Sequence, residues 1–271
     1  MNETTPADVL RVALWQATPL PPDTPDIVER NLERLRRAAA TCAGRADLLI
    51  TPEMFVCGYN IGARAARERA EAPDGPIAAA VSQICAANGL AVLYGCAELV
   101  AGEVYNAIRL VNSDGRLLAT HHKTHLFGDL DTEMFAPGTV PAPVADLGRW
   151  RLGLGICYEV EFPEVVRSLA LRGADIVCVP TANMPEYDDV QRILLPARAL
   201  ENQVYVGYAN LVGREGDLAY GGLSEWIGPS GAVQALGEPG EHLVFGTADR
   251  GELTRSRAGW TYLADRRPEL Y

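Results

Sequence analysis

Cys157 closes the run Gly153-Leu154-Gly155-Ile156, which reads as a strand, and precedes a turn into a segment that opens at Pro163. A thiol in that position can attack an electrophilic carbon while the N–H groups of its own turn bind the developing oxyanion. It needs a base. Glu53 follows Thr51-Pro52 at the end of another apolar run, where a carboxylate partly withdrawn from water would have a raised pKa and could take a thiol proton. Lys123, in His121-His122-Lys123-Thr124-His125, lies just past the strand that starts at Arg116 and could lend a fixed positive charge to an oxyanion. Each residue alone has a plainer reading: a buried structural cysteine, a solvated loop acid, an exposed lysine. Only their convergence would make a site.

The elements that must bring them together are legible from period and punctuation. Val12 and Leu14 belong to a short apolar strand before Pro19, and Thr24-Pro25 supply an N-cap and a first-turn proline. Ile27, Val28, Leu32, Leu35, Ala39 and Cys42 then recur at helical spacing, with Gly44 ending the helix. Asp47 to Ile50 reads as a buried strand, and Ile77, Val81, Ile84 and Cys85 as one face of a second helix that stops at Asn88-Gly89. Leu90 to Tyr94 is a strand, and Tyr105 to Val111 joins Arg116 to Thr120 through the turn Asn112-Ser113-Asp114-Gly115. Strands at 152–156, 176–179 and 204–208 alternate with helices near 163–172 and 190–201, and strands follow at 224–228 and 243–249. Such alternation, together with a hairpin, predicts a layered α/β domain with mixed sheets, one domain over residues 1–271, whose last dozen residues form an extended arm.

Composition narrows the function. The chain has 271 residues, 35 acidic against 24 basic, a formal charge of -11 and 48% hydrophobic residues, which suits a globular protein with a large core. The acidic surplus repels phosphate backbones, and no stretch interleaves basic and aromatic residues, so nucleic acid is not an expected partner; a small molecule is. No apolar run approaches the roughly 20 residues of a spanning helix. The residues Asn2 to Pro6 lack the pattern of a signal peptide, from which a cytoplasmic location is expected. The six cysteines form no CxxC pair, which argues against a zinc cluster or a disulfide framework and for reduced, buried thiols. His121, His122 and His125 invite a metal reading, but they cross a strand end without an HExxH-like acid, so neither a metal nor another cofactor is expected. Gly153 and Gly155 lack the third glycine of a dinucleotide fingerprint.

Three segments in this order resemble the nitrilase, or carbon–nitrogen hydrolase, superfamily. Thr51-Pro52-Glu53-Met54-Phe55 with Gly58-Tyr59 is similar to its glutamate motif, His122 to Phe127 to its lysine motif, and Gly155-Ile156-Cys157-Tyr158-Glu159 with Phe162-Pro163-Glu164 to its cysteine motif. The likeness continues through Pro180 to Asn183, Ala197-Arg198-Ala199, Glu201-Asn202 and Gly222 to Gly231, nearly the whole chain. The resemblance implies a four-layer αββα sandwich, a homodimer or higher homo-oligomer, and hydrolysis of a nonpeptide C–N bond of a small amide, most simply by an amidase of this superfamily. Nitrilase and N-carbamoyl amide hydrolase are the alternatives within it, and a catalytically silent binding scaffold is the alternative of another class. It also implies Cys157 as nucleophile, Glu53 as general base, Lys123 as oxyanion stabiliser and the Tyr158 N–H as a second donor. Many members place a second glutamate shortly after the lysine. Here Asp131 falls nearest that place and Glu133 is the other contender. Tyr59, Asn60, Phe127, Asn183 and Tyr187 follow the strands that end at the expected site and are the expected pocket walls.

Overall fold

A computed structural model of the chain describes residues 8–270; the N-terminal segment Asn2 to Pro6 and the terminal Tyr271 lie outside the described residues. In chain order the first half contains β1 (Val9–Gln16), α1 (Ile27–Cys42), β2 (Leu48–Ile50), α2 (Gly62–Arg69), α3 (Pro76–Asn88), β3 (Ala91–Val100), β4 (Glu103–Val111), β5 (Leu117–His122) and α4 (Gly128–Thr132). The second half contains β6 (Val144–Leu147), β7 (Trp150–Leu154), α5 (Pro163–Leu171), β8 (Ile176–Thr181), α6 (Leu195–Asn202), β9 (Tyr205–Asn210), β10 (Val212–Glu215), β11 (Leu218–Gly221), β12 (Glu225–Ile227), β13 (Val233–Leu236), β14 (His242–Asp249) and α7 (Arg250–Gly259).

Two six-stranded mixed sheets run in the orders β14-β1-β2-β3-β4-β5 and β13-β12-β9-β8-β7-β6, and β10 and β11 form a separate hairpin. Strand alternation assigns the layers. Leu10, Val12 and Leu14 of β1 meet Leu152, Leu154, Ile176 and Cys178 of the second sheet in the central core. Ala13 and Trp15, on the opposite face of β1, pack with Leu35, Ala39 and Cys42 of α1 and Val81 and Ile84 of α3. Val177 and Val179 of β8 face outward onto Val166 and Leu169 of α5 and Leu195 and Ala199 of α6. The result is the expected αββα sandwich. Its central strands are buried on both faces, which is why β2 and β8 are continuously apolar rather than alternating.

Several boundaries differ from the sequence expectation for identifiable reasons. Helix α1 begins at Ile27, not at Pro25: Asp26 takes a left-handed conformation with φ 51° and makes no side-chain cap, while the Thr24 N–H closes a turn onto the Pro21 carbonyl at 3.0 Å. Strand β3 runs on to Val100 and pairs with β4 through Ala101-Gly102, both at positive φ, a tight hairpin turn. The helix expected near 190–201 divides into a π-helical turn at Val190–Leu194 and then α6. Pro196 lacks the N–H that would bond back along the helix, and the wider turn accommodates it. After α7 the expected extended arm is instead a turn, closed by the Asp265 N–H onto the Thr261 carbonyl at 2.8 Å, followed by a 3-10 turn at Pro268–Leu270, with Trp260 stacked on Tyr262 at 5.3 Å.

The parallel pairs β1–β2–β3 and β7–β8–β9 direct the carboxyl ends of β2, β7 and β8 to one edge of the sandwich, the usual place for a site in parallel sheets. The two sheets meet there directly: the Glu53 N–H donates to the Thr181 carbonyl at 3.3 Å. Gly95 of β3 permits this turn to approach. A Cβ at Gly95 would fall 2.4 Å from the Met54 nitrogen and 2.9 Å from the Pro52 carbonyl oxygen. Because its obstacle is backbone, Gly95→Ala should lower stability by about 1–3 kcal/mol and shift the Glu53 loop. Gly259→Ala, where an added Cβ meets nothing, should leave the melting temperature nearly unchanged. Thermal unfolding of the two variants checks this.

Candidate active site

The three chemistry-bearing residues converge. Glu53 sits in the turn after β2, Lys123 directly after β5 and Cys157 after β7, at the start of a 3-10 turn spanning Cys157–Glu161. Cys157 has φ 45° and Met54, next to Glu53, has φ 51°. For residues with side chains the left-handed region is uncommon, and here it turns the nucleophile candidate sharply out of its strand, as strand-to-helix nucleophile turns do. The first N–H groups of such a turn have no intrahelical acceptor and point toward whatever lies at its start.

Lys123 is fully buried between two carboxylates. Its Nζ donates to Glu53 Oε1 at 2.7 Å and to Asp131 Oδ2 at 2.6 Å, and Glu53 and Asp131 are themselves fully buried. Asn106 Nδ2 donates to Glu53 Oε1 at 2.7 Å, and the Phe127 N–H donates to Asp131 Oδ2 at 2.8 Å. An ammonium has three N–H donors, and among the described residues two are accounted for by these carboxylates. Glu53 Oε2 and Asp131 Oδ1 are buried without hydrogen-bond partners in the described structure. The Lys123 Nζ also lies 5.8 Å from the centre of the Tyr59 ring.

These contacts set the protonation states. Burial works against the Lys123 ammonium, but the charges of Glu53, Cys157 and Asp131 outweigh it and hold the group above the ordinary lysine range. Burial, assisted by the nearby Asp131 charge, pushes Glu53 above the usual carboxylate range despite the opposing Lys123 charge. Burial, then the Glu53 charge, pushes the Cys157 thiol up, opposed by Lys123, by the Thr181 hydroxyl and by the Ala182 N–H. The sulfur is therefore within electrostatic reach of both the acid and the ammonium. Of the three residues only Cys157 has any exposed surface, 9%, so access to the cluster is through the sulfur.

Of the two acids considered after the lysine, Asp131 bonds Lys123, whereas Glu133 lies exposed. Two positions apart at the end of α4, the two acids point to nearly opposite sides, and the shorter aspartate reaches because the Phe127 N–H and Lys123 close around it. Tyr59 is buried against the cluster. Phe127 packs edge-on to Tyr158 at 5.4 Å and to Tyr187 at 5.6 Å, giving an aromatic wall. Asn60 and Asn183 do not present free amides to this wall. Asn60 Nδ2 donates to the Glu215 carbonyl and to Asp217 Oδ1, and Asn183 Nδ2 donates to the Tyr187 carbonyl and to Gln191 Oε1. Both are scaffold residues, holding the β10–β11 hairpin and the 184–187 loop.

Sequence reasoning missed two supports. Asn106, on β4, orients Glu53; nothing in its local pattern marks it. Glu159, two residues after Cys157, accepts from Ile156 N at 2.7 Å, Thr124 N at 2.8 Å and Thr124 Oγ1 at 2.5 Å, and faces His121 Nε2 at 2.9 Å. It fastens the lysine loop to the cysteine turn, and its place inside the Cys157 motif was the available signal. The histidines have partners of this kind: His122 faces Glu98 Oε2 at 2.6 Å and His125 faces Thr124 Oγ1 at 2.8 Å. Among the described residues no group of His, Cys, Asp and Glu is arranged to hold a metal ion, and no helix is long and apolar enough to cross a membrane. All six cysteines are free and buried.

A thiol, an acid and an ammonium gathered where the parallel strands of two sandwiched sheets end mark a nitrilase-type hydrolase. The chain belongs to the carbon–nitrogen hydrolase family, whose model matches residues 11–258, and to the amidase-like branch of the nitrilase superfamily. It is 49% identical over 263 residues to a "hydrolase in pqqF 5'region" of Pseudomonas protegens, covering 97% of this chain and 90% of that one. It is 38% identical over 240 residues to an (R)-stereoselective amidase of a Pseudomonas species, covering 88% and 85%. Among solved structures it is similar to an amidase from a Nesterenkonia species, with TM-score 0.81, 33% identity, and 96% and 94% coverage. A glutamate-to-glutamine mutant of that amidase shows covalent addition of the acetamide moiety of fluoroacetamide at its active-site cysteine. The protein is a carbon–nitrogen hydrolase.

The burial of the two acids separates them experimentally. Asp131→Ala leaves a buried cation with one partner fewer and should cost about 3–5 kcal/mol, whereas Glu133→Ala should fall within about 0.5 kcal/mol of the parent. Chemical denaturation of both variants measures the difference.

Proposed function

We propose that the protein is an amidase that converts a small carboxamide to its acid and ammonia through a thioester on Cys157. The observation that carries this reading is the Lys123 ammonium clasped by Glu53 and Asp131 beside a thiol whose proton is held high by burial and by Glu53. In the proposed cycle Glu53 takes the Cys157 proton as sulfur attacks the amide carbon. The negative oxygen of the tetrahedral adduct meets the third N–H of Lys123 and the Tyr158 N–H. Glu53 returns the proton to the departing nitrogen, ammonia leaves and the thioester remains. Water, deprotonated by Glu53, then adds to the thioester carbon, and collapse of that adduct releases the acid and restores the thiol.

A thiol held this high supplies little free thiolate at neutral pH, so attack must be coupled to proton transfer, which is why a base within reach is required. A base raised above the carboxylate range is better matched to that transfer. Asp131 has a separate part: it keeps Lys123 cationic while Glu53 changes charge. The cysteine adduct of the similar Nesterenkonia amidase supports the nucleophile assignment, and the (R)-stereoselective amidase supports the reaction class.

Ammonia release from a panel of carboxamides, nitriles and carbamoyl amines tests the reading. Amides should be turned over, with an acyl adduct on Cys157 visible by mass spectrometry after rapid quenching; ammonia without that adduct, or full turnover by Cys157→Ala, would refute the mechanism. Lys123→Met should lower kcat by about 100-fold to 1,000-fold, the usual loss for one oxyanion donor. Because Glu53 must be deprotonated to act, kcat/KM should fall as pH falls, with its acid limb above the ordinary glutamate value of about 4.3. Profiles of kcat/KM against pH check the position of that limb.

A further inference from the structure

The two oxygens of Glu53 are placed differently. Oε1 accepts from two donors, Lys123 Nζ at 2.7 Å and Asn106 Nδ2 at 2.7 Å, whereas Oε2 is buried and has no hydrogen-bond partner among the described residues. Both donors come from one strand pair. Asn106 lies on β4 and Lys123 directly follows β5, and the Lys123 N–H donates to the Asn106 carbonyl at 2.9 Å. Residues opposite one another on paired antiparallel strands share a face, so the ladder that joins β4 to β5 also aims both side chains at a single oxygen. Asn106 is fully buried, as are Lys123 and Glu53, and no bulk water competes for these bonds.

That oxygen is thereby saturated. An ionised carboxylate offers about two lone-pair sites on each oxygen, and the two donors fill those of Oε1. With Lys123 alone, either oxygen could receive a proton; with Asn106 added, only Oε2 can. The difference matters to the lysine. A proton on Oε1 would set an O–H against the Lys123 ammonium and weaken the clasp, whereas a proton on Oε2 leaves both donors bonded. The Asn106 hydrogen bond also favours the charged carboxylate, and with Lys123 it opposes the upward push of burial on Glu53. The other titratable groups that act with Glu53 are Asp131, the Cys157 thiol and the hydroxyls of Tyr59, Tyr208 and Tyr220.

We propose that Asn106 is a positioning residue that reserves Glu53 Oε2 as the proton acceptor, saturating Oε1 together with Lys123 so that the lysine contact survives the transfer. This rests on the amidase reading above and adds to it the residue that sets how the base works. The S–H bond of Cys157 breaks as the S–C bond forms, and its proton passes to Oε2. From there the proton goes to the departing nitrogen, which leaves with the electron pair of the C–N bond.

The test is Asn106→Leu, which keeps the branched shape without a donor, with Asn106→Ala beside it should the first fail to fold; the backbone carbonyl that receives the Lys123 N–H remains in both. Two rates are followed against pH: ammonia release from a carboxamide, as kcat and KM, and alkylation of Cys157 by iodoacetamide, read by mass spectrometry. Loss of the donor disfavours ionised Glu53, so the acid limb of both profiles should move to higher pH by about one pH unit, the worth of one hydrogen bond to a charged group. On the plateau above the limb kcat should fall by about ten-fold to 100-fold, the usual cost of a misaligned catalytic group, with KM nearly unchanged. An acid limb that stays in place in folded variants, or a rise in KM with kcat intact, overturns the proposal and leaves the amidase reading standing. A parent protein that is alkylated at Cys157 yet releases no ammonia from any amide overturns the amidase reading instead, and the alkylation limb then decides the part played by Asn106.

Discussion

A lysine fully buried between two carboxylates is the constraint on which the site depends. Removing three charges from water costs several kcal/mol for each ion, and that cost is tolerable only where partners meet them at hydrogen-bond distance. The surroundings comply. Asn106 and the Phe127 N–H supply further donors to the same two carboxylates, so the lysine is held from two elements that are remote in sequence. Three charges also resist neutralisation differently from two. When Glu53 accepts a proton, Asp131 still faces the ammonium, and the cation persists through a cycle in which its other partner changes charge.

That constraint shapes the fold around it. Glu53 and Lys123 belong to the first sheet and Cys157 to the second, so the site exists only if the two sheets stack in one register. The bond from Glu53 N to the Thr181 carbonyl and the contacts of Glu159 to Thr124 and Ile156 fix that register locally. The central core, in which Val12 and Leu14 meet Leu154 and Cys178, fixes it globally. A buried Glu159 bonded to three N–H or O–H donors and facing His121 is held below the ordinary carboxylate range despite its burial. It acts as a permanent anion, an anchor and not a proton carrier.

Much of this was legible in the sequence, and the rest was hidden for physical reasons. The layers followed from continuous apolar runs such as Leu48 to Ile50 and from amphipathic α1, because burial on two faces or one leaves a periodic mark. The motif residues Glu53, Lys123 and Cys157 carried the site by their places at strand ends. Asn106 left no mark, since its role is defined only by the pairing of β4 with β5, which sets Lys123 N against the Asn106 carbonyl. Asn60 and Asn183 misled in the opposite sense: an amide after a strand looks like a ligand contact, yet each is consumed in holding a neighbouring loop. The π-helical turn before Pro196 was invisible because the run from Val190 to Glu201 reads as one helical segment, and one widened turn within it is too short to leave a period of its own.

The cysteines show why acidity alone cannot identify the nucleophile. Burial pushes Cys42 up to about 11 and Cys57, Cys85 and Cys178 up to about 12, and it pushes Cys157 up as well. A nucleophile defined by a depressed resting pKa would not be found here. What separates Cys157 is its company and its backbone: an acid and an ammonium both act on it, and its positive φ turns it out of the strand. Charge separation is thereby deferred to the moment of attack, when the proton has an acceptor and the new oxyanion has a cation. Until then a neutral thiol beside a carboxylate costs less to bury than a thiolate beside the same carboxylate, and it is less exposed to adventitious oxidation. The lysine makes the charged state reachable without making it the resting state.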